Sequence, residues 1–300
     1  MSAPGGFSDG YADLGEVRLH YVEVAPADGA PPMLLLHGFP QFWWLWREVL
    51  GDLGQDRRCV APDMRGYNLS SKPAEVEAYR MRHLLADVDG LVEELGFERF
   101  TLVGHDWGGI VSWAFACRGH PALERLVILD APPPFTWGRE LERSKRQREA
   151  VKYMIELSAP APHGEELLGA DDFAALDRML VGPGIERGYL TADDRDRYHE
   201  AWSRPGALTG GLNYYRAAGM GAQVEHGQSP EARERLGSMR VDVPTLVIWG
   251  SEDHALLPGL TEGLEAWVPD VRVELLGGAG HWTPQERPAE VSRLIREFSS

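Results

Sequence analysis

The stretch Thr101-Leu102-Val103-Gly104-His105-Asp106-Trp107-Gly108-Gly109 constrains this chain most. Its apolar run reads as a buried strand, and the glycines that follow let the chain turn sharply into a helix. The result is a strand, a tight corner with a carboxylate at its tip, and a helix. This is the G-x-S-x-G elbow with Asp106 where a serine would stand. Alone, so short a match also fits a glycine turn in which Asp106 caps the next helix. The flanking sequence decides between the two.

Val17–Val24 partly alternates and Met33–Leu36 follows a Pro/Gly-rich turn, which predicts two sheet strands, the second running into His37-Gly38-Phe39-Pro40. Gln41–Leu53 carries Phe42, Trp43, Trp44, Leu45 and Trp46, a helical pattern too apolar on several sides for a surface. Some of those rings must be covered. Arg58–Asp63 is a further short strand, followed by the loop Met64-Arg65-Gly66-Tyr67. Leu84, Leu85, Val88, Leu91, Val92 and Leu95 form one stripe of an amphipathic helix that ends before Gly96. After the elbow come a helix to about Cys117 and the run Leu126–Leu129. Short runs buried on both faces and alternating with helices predict a mostly parallel sheet flanked by helices, the α/β class. The rhythm stops at Ala131-Pro132-Pro133-Pro134. From Phe135 to Met239 the chain is charged and without strand runs, a helical insertion, after which Pro244–Gly250, Val271–Leu276 and a helix bearing Val291, Leu294, Ile295 and Phe298 resume the pattern. The chain thus divides into 1–134, 135–239 and 240–300.

A chain of 300 residues can bury about three quarters of its unfolded surface. A net charge of −16 argues against nucleic acid or an anionic membrane as partner, since both need a basic face. Met1–Gly10 lacks a basic segment followed by an apolar run, and no uninterrupted apolar stretch reaches about 18 residues, so neither export nor spanning is expected. Cys59 and Cys117 lie in apolar surroundings without C-x-x-C or ligand spacing, which fits buried thiols in a reducing cytoplasm. Gly182-Pro183-Gly184 lacks the strand and spacing of a phosphate loop, and no histidine pair has ligand spacing, so no nucleotide or metal cofactor is expected.

A nucleophile at a strand end needs a base and an orienter, and with this elbow the chain order is nucleophile, acid, histidine. Asp253 in Gly250-Ser251-Glu252-Asp253 and His281 in Gly280-His281-Trp282 follow the two late strands in that order. The glycines around His281 place it on a loop, where core packing does not explain it. A carboxylate attacking an ester or amide would form an uphill anhydride, so esterase and peptidase chemistry is excluded. It can instead displace a leaving group from saturated carbon to give an alkyl-enzyme ester. Water activated by His281, with Asp253 holding the imidazole, would then attack the carboxyl carbon of Asp106. The backbone N–H groups of Phe39 and Trp107 are expected to receive the oxyanion. Halide leaves readily, whereas the alkoxide of an opened epoxide must be protonated. Tyr153, Tyr189, Tyr198, Tyr214 and Tyr215 in the insertion are phenols with an ordinary pKa of about 10 that could do so, and composition does not choose among them.

His37-Gly38-Phe39-Pro40, Asp63-Met64-Arg65-Gly66-Tyr67, Gly104-His105-Asp106-Trp107-Gly108-Gly109, Leu212-Asn213-Tyr214-Tyr215-Arg216 and Gly280-His281-Trp282-Thr283 together resemble the motif series of the soluble α/β-hydrolase-fold epoxide hydrolases. The resemblance runs from about Tyr11 to the C-terminus. It implies an α/β-hydrolase fold with a helical cap inserted after the sixth strand, Asp106 as nucleophile, His281 as base and Asp253 as acid. It also implies cap tyrosines at Tyr215, with Tyr214 in place of the family's tryptophan, and at Tyr153, upstream of Pro160. The substrate pocket is expected to include His37, Pro40, His105, Trp107, Asp130, Tyr214 and Trp282. Asp130, after Leu129, stands where related dehalogenases can carry the acid. Asp253 is favoured because its W-G-x-x-D context is complete.

The expected partners are a small hydrophobic epoxide and water, with monomer and homodimer both left open. One alternative is a haloalkane or haloacetate dehalogenase built on the same core. Those enzymes place asparagine after H-G or arginine after the nucleophile, where this chain has Phe39 and Trp107. Another is a binding protein that kept the fold and lost turnover, against which the intact triad argues.

Overall fold

The computed structural model describes residues 6–26 and 30–300. The expectation of no export segment over Met1–Gly10 and the turn ahead of Met33 therefore fall partly on residues outside that description. Eight strands form one sheet: β1 (Ser8–Asp13), β2 (Arg18–Val24), β3 (Ala30–Leu36), β4 (Arg57–Pro62), β5 (Phe100–His105), β6 (Leu123–Leu129), β7 (Thr245–Gly250) and β8 (Val271–Leu276). Their spatial order is β1-β2-β4-β3-β5-β6-β7-β8. β1 and β2 and then β2 and β4 pair antiparallel, and every pair from β4 to β8 is parallel. Leu34, Leu102, Val103, Val127, Ile128 and Val247 have no exposed surface, as parallel strands covered on both faces require. Helix Arg47–Leu53 packs on Pro288–Phe298, and Met81–Glu94 packs on Trp107–Arg118.

The chain between β6 and β7 is helical from Pro134 to Gly237. Within His163–Leu176, positive φ at Asp171, Asp172 and Phe173 breaks the helix in two. The aromatic run after His37 forms a 3₁₀ turn at Trp43–Trp46 followed by the helix Arg47–Leu53, rather than one continuous helix. Its rings are covered by the insertion: Trp44 Nε1 donates to Asp194 at 2.7 Å, and Phe42 packs edge-on against Tyr198. Burial raises the thiols of Cys59 and Cys117 to about 12 and about 11.

The strand register sets the site. Leu36 pairs with Gly104, His105 with Leu129, Leu129 with Ile248, and Gly250 with Leu276. All these strands therefore end at one edge of the sheet. Phe39, Asp106, Asp130, Asp253 and His281 emerge there together, the carboxyl edge where open parallel sheets bind ligands.

Candidate active site

Asp106 sits at the elbow with φ 51° and ψ −120°, a backbone state unfavourable for a residue with a side chain. The surrounding packing enforces it. A Cβ on Gly108 would meet the carbonyl oxygens of Leu36 and His37, and one on Gly104 would meet Ser112 Oγ and the Gly108 carbonyl. Only glycine lets strand and helix approach so closely. Phe39 N–H donates to Asp106 Oδ1 at 2.8 Å, and Trp107 N–H bonds the same carboxylate. Burial alone would raise the Asp106 carboxyl, but His281 and the Trp107 amide hold it below the usual range. It is an ionised carboxylate that already meets two backbone donors.

His281 Nδ1 lies 2.7 Å from Asp253 Oδ2, and Nε2 lies 3.7 Å from Asp106 Oδ2, within ion-pair reach but beyond a direct hydrogen bond. Asp253 Oδ1 accepts the amides of Ala255 and Leu256, each at 2.8 Å. Burial favours the neutral imidazole, yet Asp253 first and Asp106 second raise His281 well above its ordinary value. Asp253, not Asp130, bonds this imidazole. Asp130 is fully buried, accepts Gly250 N–H at 2.8 Å and bonds Thr283 Oγ1, so it ties the loops of Asp253 and His281 together. Burial, and then the charge of Asp253, raise its carboxyl well above the ordinary value.

Further contacts hold the His281 loop. His105 Nε2 bonds the His281 carbonyl at 2.8 Å, and burial lowers its ring from the ordinary value to about 4, so the ring is neutral near pH 7. Glu286 accepts Gly280 N–H at 3.0 Å and Trp282 N–H at 3.2 Å. Gln285 bonds Gln41 at 2.6 Å and Tyr198 at 2.9 Å. Sequence reasoning missed Thr283, Gln285, Glu286 and Gln41. For Glu286 a signal existed: a carboxylate four residues after the N-cap Trp282 can reach back to that amide, as in a capping box displaced by one residue.

Two chambers meet at Asp106. One, of about 480 Å³, is lined by Phe39, Tyr153, Tyr215, His281, Trp282 and Arg187 among others. The other, of about 450 Å³, is more apolar and includes Trp107, Ile110, Trp137, Met154 and Met220. Burial, and then the Asp106 charge, raise both Tyr153 and Tyr215, so both remain protonated phenols. Tyr215 packs edge-on against Trp107 at 5.1 Å and Phe39 at 5.4 Å.

Several residues expected in the pocket line neither chamber. His37 is fully buried, bonding Gly38 O and Met64 N, each at 3.0 Å, and so clamps the Phe39 loop from behind. Pro40 accepts from Trp202 Nε1 at 2.7 Å, and Tyr214 donates to Arg65 O at 2.9 Å. His105 and Asp130 have no exposed surface. Their hydrogen bonds go to holding loops in place rather than to the cavity. Among the described residues, no three His, Cys, Asp or Glu side chains gather as metal ligands, and no helix is long and apolar enough to cross a membrane.

Residues 31–288 match the family model of the alpha/beta hydrolase fold. The chain is 34% identical to epoxide hydrolase 2 of Caenorhabditis elegans, over 96% of this chain and 79% of that protein. It is 33% identical to epoxide hydrolase A of Mycobacterium tuberculosis, over 99% and 98%, and 34% identical to the AB hydrolase superfamily protein YfhM of Bacillus subtilis, over 96% of each. The crystal structure of Bacillus megaterium epoxide hydrolase in complex with an inhibitor superposes with a TM-score of 0.86 at 33% identity, covering 96% of this chain and 99% of that one. With an aspartate at its elbow and relatives matched over nearly its full length, this chain belongs to the α/β-hydrolase fold family and, within it, to the epoxide hydrolases.

Proposed function

We propose that this chain opens an epoxide to a vicinal diol through a covalent ester on Asp106. The supporting observation is the setting of one carboxylate: Oδ1 on the Phe39 amide, a second backbone bond from Trp107 N–H to the same group, Oδ2 toward His281, and two protonated phenols in the adjoining chamber. Oδ2 attacks a ring carbon, the C–O bond breaks, and Tyr153 or Tyr215 gives its proton to the alkoxide. Water, deprotonated by His281 Nε2, then adds to the Asp106 carboxyl carbon. The negative charge develops on Oδ1, which the Phe39 amide already meets, with the Trp107 amide as second donor to the group, while Asp253 stabilises the imidazolium. Collapse expels the diol oxygen, which takes the imidazolium proton, and the proton left on Asp106 restores the phenol. The helical insertion acts as the cap that brings the phenols over the nucleophile. The substrate is a hydrophobic epoxide, matching the aromatic and aliphatic lining.

A single turnover of styrene oxide in ¹⁸O water tests the path. The label is expected in the Asp106 carboxyl group, while the first diol formed takes its new oxygen from the enzyme. Label in the diol and none in Asp106 would sink the covalent route. Tyr153→Phe combined with Tyr215→Phe is expected to slow alkylation by roughly a hundredfold to ten-thousandfold. Release of halide from chloro- or bromoalkanes in place of diol formation would transfer the reading to dehalogenation.

A further inference from the structure

Glu286 bonds the backbone on both sides of His281, and it is held in turn by a residue of the helical insertion. Its side chain is only 1% exposed, so its charge is costly unless compensated. The compensation is Gly280 N–H on Oε2, Trp282 N–H on Oε1, and the Arg187 guanidinium 2.9 Å from Oε2. Arg187 follows the short helix Gly182–Glu186 of the insertion, and it also donates to Gly278 O at 2.8 Å. The groups that bond His281 itself, Asp253 and His105, belong to the sheet layer. Arg187 reaches the same loop from the opposite layer.

We propose that Glu286 and Arg187 are a positioning pair for His281. The carboxylate fixes the two peptide planes that carry the histidine, and Arg187 ties that carboxylate to the insertion, so the imidazole is aligned only while the insertion is seated over Asp106. Arg187 is not needed to hold the tyrosines. The insertion keeps its other anchors on the sheet layer, including Trp202 to Pro40 and Tyr198 to Gln41 and Gln285. The inference rests on the covalent reading, in which Asp106 and the phenols perform alkylation while His281 acts in hydrolysis. Loss of the pair must therefore strike the second step harder than the first.

The test is rapid mixing of styrene oxide with wild type, Arg187→Gln, Arg187→Lys and Glu286→Gln, with His281→Gln as reference, quenching and weighing the intact protein. In Arg187→Gln and Glu286→Gln, the alkylation rate is expected to fall much less than the hydrolysis rate, since both residues belong to the chamber wall and neither touches the carboxylate of Asp106. Hydrolysis of the alkyl-enzyme is expected to slow between roughly tenfold and a hundredfold, so that kcat and KM fall together and the ester accumulates. Arg187→Lys keeps the charge and should retain most of the hydrolysis rate. Amide exchange at Gly280 and Trp282 should quicken in Arg187→Gln and Glu286→Gln. Equal slowing of both steps, or unchanged hydrolysis, overturns the proposal. If Glu286→Gln does not fold, the half-exposed Arg187 carries the test alone. Absence of ester in the His281→Gln reference would overturn the covalent reading instead, and the exchange measurement would still judge the pair, since unaltered exchange refutes it.

Discussion

Asp106 and His281 share one charge balance, and the proposed covalent cycle would change it. In the resting site Asp106 helps hold a proton on His281. On the covalent route proposed above, an ester on Asp106 would carry no charge, so alkylation would remove that support and lower the imidazole's hold on its proton just before a base is required. Hydrolysis of the alkyl-enzyme is accordingly expected to rise with pH to a plateau. Its midpoint should lie below the imidazolium midpoint of the resting enzyme, a comparison that stopped-flow rates and nitrogen NMR of His281 can make. Stability follows the resting state. Because folding raises His281, its contribution is complete below the unfolded value of about 6.5 and is lost as pH climbs through the raised folded value. Asp253→Asn should flatten that alkaline loss in a series of thermal melts. Gly38 offers a purely steric test of the proposed nucleophile. A Cβ there would collide with Asp106 Oδ1 and lie 2.7 Å from its Cγ. Gly38→Ala is expected to fold while losing roughly a hundredfold or more in alkylation rate, because the carboxylate is pushed from its amide donors.

At the scale of elements, the elbow is where local sequence and tertiary packing agree most closely. Gly108→Ala would drive a methyl into the backbone of the strand end at Leu36 and His37. No rotamer relieves such a clash, and the expected cost is about 3 kcal/mol or more, read from urea unfolding. The same closeness made the elbow legible in the sequence, since a buried strand followed by spaced glycines has few other uses. Strand β1 was not legible. Its run Ser8-Asp9-Gly10-Tyr11-Ala12-Asp13 is polar and mostly exposed, and it is a strand because β2 offers a free edge to pair with. The aromatic segment Gln41–Leu53 was legible as buried but not as two pieces, because what covers Trp44 and Phe42 comes from residues more than a hundred positions away. Motif membership located His37, Pro40, His105, Asp130 and Tyr214 near the site. It could not separate residues facing the cavity from those bracing its walls, since both kinds are held by contacts remote in sequence.

The whole molecule is two layers joined by buried polar contacts. Trp202 reaches Pro40, Trp44 reaches Asp194, and the Tyr198 hydroxyl receives the amides of Gln41 and Gln285. Such contacts are costly to break singly. Tyr198→Phe leaves two buried amides short of a partner, for which a loss of about 1–3 kcal/mol is expected. The urea midpoint should move without a change in slope, and insertion and sheet should still unfold in one transition. The presence of the insertion was readable from the break in strand rhythm at Ala131–Pro134. Its seating was not, because that depends on single hydrogen bonds between distant side chains. The seating leaves two chambers that share one carboxylate. On the proposed route, a guest with an arm on each flank of its ring would commit each arm to a room, and that choice would decide which of two ring carbons meets the oxygen. Regiochemistry becomes a question of furniture: a bulky residue placed at Met220 or Ile110 should redirect attack with every reacting group left untouched.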